Sequence, residues 1–119
     1  MLESKLPLTS LEKAVLDLLL KGSSFDDIRK QLEYASVIKR EFTGVGFFTE
    51  FLLPDDAPVR RDLLDGTLGD VYAKFPGLKQ DAGFLLFIRD GAISLLEGFT
   101  YDEPWPANTS EFKLYKRST

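Results

Sequence analysis

Apolar positions recur at helical spacing near the start of the chain, and from residue 37 onward they alternate. Leu11, Ala14, Val15, Leu18 and Leu19 form one face of a helix predicted over residues 10–21. Thr9 and Glu12 stand at capping-box spacing, where hydroxyl and carboxylate each satisfy a free backbone N–H. Gly22 is placed to end this helix in a left-handed conformation. Ser24 is placed to cap a second helix, with Asp26 and Asp27 in a first turn that favours negative charge. Phe25, Ile28 and Leu32 give that helix an apolar stripe ending near Tyr34. The Gly-Ser-Ser link makes the two a helical hairpin or corner.

The period then changes to two. Val37 to Thr43 and Gly46 to Leu53 are rich in β-branched and aromatic residues. With a turn at Gly44-Val45, Phe42 faces Phe47, Ile38 faces Phe51 and Lys39 faces Glu50. That register puts Ile38, Phe42, Phe47 and Phe51 on one face and the Lys39–Glu50 pair on the other. Pro54 to Gly69 reads as a loop holding Asp55, Asp56, Asp62 and Asp65. From Asp70 to Phe75, Val71, Ala73 and Phe75 point inward. Gly83 to Arg89 and Ala92 to Phe99 flank Asp90-Gly91, a type I′ hairpin signal. This register sets Ile88 against Ile93, Leu86 against Leu95 and Phe84 against Glu97. Phe112 and Leu114 alternate with Lys113 and Tyr115 in a last strand. The whole predicts one α+β domain over residues 1–119: an N-terminal helical hairpin, about 10–34, packed on a mostly antiparallel sheet of about five strands, about 37–117.

Composition narrows the chemistry. The 119 residues include no His and no Cys, which removes Ser-His-Asp triads, cysteine nucleophiles, disulfides and zinc sites built from those residues. A formal charge of −4 argues against a general nucleic-acid binder. No signal-peptide pattern is seen at Met1 to Pro7, and no apolar run approaches the roughly 20 residues of a membrane helix. A cytoplasmic location is the default expectation, with no membrane contact. No cofactor, metal site or catalytic residue is predicted.

One segment concentrates polar and aromatic character: Glu97-Gly98-Phe99-Thr100-Tyr101-Asp102-Glu103-Pro104-Trp105-Pro106. Its carboxylates, phenol and lone Trp could line one pocket, stack on a sugar or base, share acid–base work or hold a hard cation. The same residues could instead cover the sheet end, with the prolines stiffening a turn. Glu97, set in an otherwise apolar strand, needs a partner if buried, for which Arg40 or Arg89 is available. Candidate ligand- or partner-binding residues are therefore Arg40, Glu97, Tyr101, Asp102, Glu103 and Trp105.

Two resemblances bear on function. Leu8-Thr9, Glu12, Val15-Leu16, Leu19, Gly22, Ser24, Ile28 and Leu32 resemble the helix-turn-helix of quorum-sensing-type transcription regulators, which implies a third helix entering the DNA major groove. The chain departs there: Arg29 replaces a small residue, and Gly44-Val45-Gly46-Phe47-Phe48 opposes a third helix, each glycine costing about 1 kcal/mol in a helix interior. Over nearly its whole length, through Arg40-Glu41-Phe42-Thr43-Gly44-Val45-Gly46-Phe47-Phe48-Thr49 and Leu96 to Pro106, the chain resembles a group of small bacterial proteins with no attached activity. That likeness implies a bacterial source and transfers no catalytic residue.

The leading expectation is a non-catalytic protein-interaction module of the inhibitor or immunity type. Charge complementarity to a basic partner would speed encounter. The acidic Asp55 to Asp70 loop and the Tyr101 to Trp105 turn are the expected contacts, and a homodimer is a further possibility. The alternatives are a small-ligand site or carboxylate-based enzyme at Glu97 to Trp105, and a DNA binder. The first needs the carboxylates to converge, the second a helix after residue 35.

Overall fold

The computed structural model describes residues 6–60 and 62–117, so the reading of residues 1–5 and of the last two positions lies outside it. Helix α1 spans Ser10–Leu19, and its buried residues Leu11, Val15, Leu16 and Leu19 lie on one face. The capping box forms as the spacing requires. The Thr9 hydroxyl accepts from the Glu12 amide at 3.0 Å, and the Glu12 carboxylate accepts from the Thr9 amide at 2.9 Å. Gly22 follows with φ 118°, the left-handed conformation a glycine supplies.

The second helical segment is shorter than the periodicity implied, and no pair of full helices forms. Helix α2 covers only Asp26–Lys30, between 3-10 turns at Ser23–Phe25 and Gln31–Glu33. Ser24 does not cap it; Phe25 stands at the N-cap with no side-chain hydrogen bond. Tertiary bonds hold the segment instead. The Arg29 guanidinium donates to the Leu20 carbonyl at the end of α1. The fully buried Gln31 donates from Nε2 to the Gly91 carbonyl at 2.8 Å and accepts the Ile93 amide at 2.9 Å.

Among the described residues six strands follow, rather than about five: β1 Ser36–Phe42, β2 Gly46–Leu52, β3 Gly66–Lys74, β4 Ala82–Arg89, β5 Ala92–Phe99 and β6 Lys113–Lys116. They form one antiparallel sheet in the order β1-β2-β5-β4-β3-β6. Strand β3 starts at Gly66, so the loop before it is shorter than predicted. The β4–β5 turn has φ 52° at Asp90 and 76° at Gly91, as a type I′ turn demands. Strands β1 and β6 are the edges, and the Leu6 amide donates to the Val37 carbonyl on the β1 side.

Irregular registers decide which side chains reach the core. A bulge between Val37 and Lys39 pairs Val37, not Ile38, with Phe51. Val37 is buried and Ile38 is exposed; Phe42 meets Phe47 as expected but is 64% exposed at the hairpin end. In β5 a shift at Ser94 pairs Leu86 with Leu96 and Phe84 with Gly98. Glu97 therefore lies opposite Leu85, on the face away from Phe84, correcting the expected Phe84–Glu97 pair. A third irregularity, at Gly69-Asp70 in β3, leaves Val71, Ala73 and Phe75 pointing inward.

The core lies between α1 and one sheet face. It holds Val15, Leu16, Leu19, Leu20 and Ile28 against Phe84, Leu86, Leu96 and Val71, all at most 1% exposed. Each such Leu, Ile, Val or Phe contributes about 1.5–3 kcal/mol through burial. Among the described residues no helix packs on the other face, and no helix is long and apolar enough to cross a membrane.

Candidate functional site

Of the six candidate residues, Arg40 and Trp105 lie on the helix side of the sheet, Glu97 and Tyr101 with the other face, and Asp102 and Glu103 in the turn after β5. Arg40 turns toward the helix side and pairs with Glu12, not with Glu97. Its Nε lies 2.8 Å from Glu12 Oε2 and its Nη2 2.6 Å from Oε1. The fully buried Thr49 hydroxyl also donates to Glu12 Oε2, at 2.6 Å. Burial pushes the Glu12 carboxyl up. The bonds from Arg40, Thr49 and the Thr9 amide outweigh burial and hold it below its ordinary value. A small cleft of about 40 Å³ beside this pair is lined by Phe42, Phe47 and Trp105.

Trp105 also belongs to the helix side. Its ring meets Phe47 edge-on at 5.2 Å, Phe75 at 5.6 Å and Phe84 at 6.3 Å, closing the end of the core. The turn before it is fixed by backbone bonds. The Thr100 amide donates to the Val45 carbonyl at 2.9 Å, and the Trp105 amide to the Gly44 carbonyl at 2.8 Å. Glu103 accepts the Lys79 amide at 2.8 Å and the Gln80 amide at 2.9 Å, and these bonds lower its pKa. Asp102 sits exposed at the turn with φ 57°. Glu103 and Trp105 thus serve the architecture of this corner.

Glu97 and Tyr101 lie with the other face, linked by Phe99, whose ring meets Tyr101 edge-on at 5.5 Å. Glu97 and Trp105 do not share a pocket, because the Gly98 position aims at Phe47 and its neighbour Glu97 points the opposite way. Among the described residues no three acidic side chains group to hold a metal ion.

The open face carries a patch the sequence reading did not single out. Phe48, Leu85, Phe87, Leu95 and Phe99 alternate outward from β2, β4 and β5. All five are half-buried, and none joins the cluster between sheet and helices. Strand alternation was the available signal, but it needed the bulge positions to assign the faces. Glu97 sits among these residues with no hydrogen-bond or ion-pair partner among the described residues, and burial raises its pKa.

Toward β6 the same face turns polar and closes its own charges. Tyr72 and Tyr115 stack at 5.6 Å, and the Arg117 guanidinium lies 4.4 Å from the Tyr72 ring centre. Asp81 accepts from the Tyr115 hydroxyl at 2.6 Å and from Lys74 at 3.1 Å, and these bonds lower its pKa.

The acidic loop is pinned at several points. The Arg60 amide donates to the Gly91 carbonyl at 3.0 Å, the Asp90 amide to Asp65 at 2.9 Å, and Arg60 pairs with Asp62 at 2.8 Å. Leu64 on this loop is 91% exposed. It borders an apolar groove of about 190 Å³ that includes Phe25, Ile28 and Leu63.

Strand β1 occupies Ser36–Phe42, where a DNA-recognition helix would have to begin, so the helix-turn-helix likeness ends with the first helices. No family model matches the chain, and no curated protein or solved structure is significantly similar to it.

Proposed function

We propose that the chain is a non-catalytic protein-interaction module that docks through the open face of its sheet. The observation that carries this reading is the outward set Phe48, Leu85, Phe87, Leu95 and Phe99, over which no layer packs among the described residues. A contiguous apolar surface on a folded chain loses free energy to water until another surface covers it. Six strands at about 4.8 Å spacing and strands of about 20 Å give the whole face roughly 600 Å², near the lower bound of a specific interface, and the apolar set on β2, β5 and β4 forms about half of it. The pinned acidic loop, with Leu64 projecting, offers an adjoining contact for a basic partner. An inhibitor or immunity type of action fits such a module, because blocking a partner needs surface and no chemistry.

The carboxylate-site alternative has less support. Glu97 stands within β5 on the open face, Asp102 is exposed in the turn, and Glu103 is committed to backbone amides.

A photo-crosslinking residue placed at Phe87, on the open face, and separately at Lys13, on α1, tests the reading in host cells. A discrete adduct from position 87 and none from position 13 supports it. No adduct from position 87 overturns it.

A further inference from the structure

Building on the open face as a docking surface, we propose that its occupant is a basic protein surface that sets an arginine or lysine side chain, flanked by apolar groups, on Glu97. The register fixes what surrounds this carboxylate. Phe48 of β2 stands directly across on one side and Leu85 of β4 on the other. Leu95 and Phe99 flank it two positions away on β5. Same-face cross-strand neighbours lie about 5 Å apart, so the first ring around Glu97 is wholly apolar.

A carboxylate so placed has lost part of its hydration and gained no partner among the described residues. A guanidinium or ammonium arriving with a docking surface would supply that partner as the remaining water leaves. The aromatic rings of Phe48 and Phe99 suit such a cation further, since their faces are electron-rich.

The next charges outward have the matching sign. Glu41 lies across from Phe48, and Glu50 across from Leu95 by way of the β2–β5 register. On this side Lys39 lies 3.7 Å from Glu41, while Arg89, on the same face of β4, stands at the hairpin end opposite Ala92, four positions along the strand from Leu85 and so about 13 Å from the Glu97 level. On the β3–β6 side Lys74 is engaged with Asp81 and Tyr115 and Arg117 with Tyr72, and no cation among the described residues forms an ion pair with Glu97.

A second copy fits less well. With a two-fold axis along the strands between β5 and β4, both Glu97 carboxylates would approach each other in a drying interface. Like charges there act against association. A polyanionic partner meets the same obstacle.

An NMR titration of the whole chain tests the proposal with two capped tripeptides, Leu-Arg-Leu and Leu-norleucine-Leu, with sedimentation run in parallel. The expected result is amide shifts in β2, β5 and β4, with the arginine peptide binding at least about tenfold tighter than the norleucine peptide. Glu97→Gln should remove that difference. Equal binding of the two peptides overturns the cation anchor while leaving an apolar docking face intact. A monomer that binds neither peptide on this face overturns it too. A stable dimer that shields β2 and β5 overturns it by naming the second copy as occupant. Because the two peptides are compared on the unaltered chain, the result does not depend on the variant folding.

Discussion

Arg40 and Glu12 join β1 to the first turn of α1 through two hydrogen bonds, at 2.8 and 2.6 Å, in a space where the Glu12 side chain is 2% exposed. The same carboxylate receives the Thr9 amide and the Thr49 hydroxyl. One acid therefore caps a helix, holds a strand arginine and satisfies a buried threonine.

Arg40→Met should be strongly destabilising, because it strands a buried carboxylate. Breaking such a pair costs about 3–5 kcal/mol, a large share of the stability of an ordinary domain. Urea unfolding at neutral pH should show the midpoint fall with little change in slope. An unchanged midpoint would mean that the pair contributes nothing.

Glu12 also sets an acid limit. Its folded pKa lies below the ordinary value of 4.5, so its contribution is present above that pH and is lost as pH falls below it toward the folded value. Melting temperature followed from pH 6 downward should drop in this window. In Glu12→Gln that part of the drop should be missing.

Glu97 has the opposite sign. Burial raises its pKa, so its ionisation works against folding, and the disadvantage grows as pH rises through the folded value. Glu97→Gln should raise the melting temperature at pH 7 and leave it nearly unchanged at pH 3. A gain on the order of 0.5 kcal/mol suits a half-buried surface position. A lower melting temperature at pH 7 would reveal a partner for Glu97 within the chain.

Gln31 ties the second helical segment to the β4–β5 hairpin by bonding both Gly91 and Ile93. Gln31→Leu would leave the buried Ile93 amide without its acceptor, at about 1–3 kcal/mol, while the Gly91 carbonyl keeps the Arg60 amide. Amide exchange at Ile93 should accelerate well beyond the change in global stability. Parallel changes throughout the sheet would show that the hairpin does not open on its own.

Gly98 is required for packing. A Cβ there would lie 2.3 Å from Phe47 Cε1, and Phe47 is already wedged against Trp105 and Phe84. Gly98→Ala should cost about 1–3 kcal/mol by overpacking. Phe47→Leu added to it should recover part of that loss in thermal melts, whereas additive losses would rule out the contact as the cause.

Local rules carried much of the fold. The Thr9–Glu12 box, the Asp90-Gly91 turn, the Phe42–Phe47 pair and the inward Val71, Ala73 and Phe75 all follow from chemistry within a few residues. The errors came from single-residue irregularities. The bulge at Ile38 turned an expected core residue outward, and the shift at Ser94 moved Glu97 to the other face. Neither position has a glycine or proline to announce it. The Arg40–Glu12 bond spans 28 residues and depends on how α1 lies over β1, which no local pattern encodes. The candidate site was accordingly legible as a list of unusual residues but not as a grouping. Glu97 and Tyr101 went to the open face, while Arg40 and Trp105 went to the helix side.

The two edge strands bear on how this chain behaves when crowded. Strand β6 is four residues long with Lys at both ends, and β1 is kinked by its bulge and bridged by the Leu6 amide. A neighbour trying to extend the sheet sideways would find few aligned donors and acceptors and would have to crowd lysines together. In-plane, fibre-like growth is thereby discouraged at both borders. An approach over the open face, by way of Phe87 and Leu95, meets neither of these obstacles.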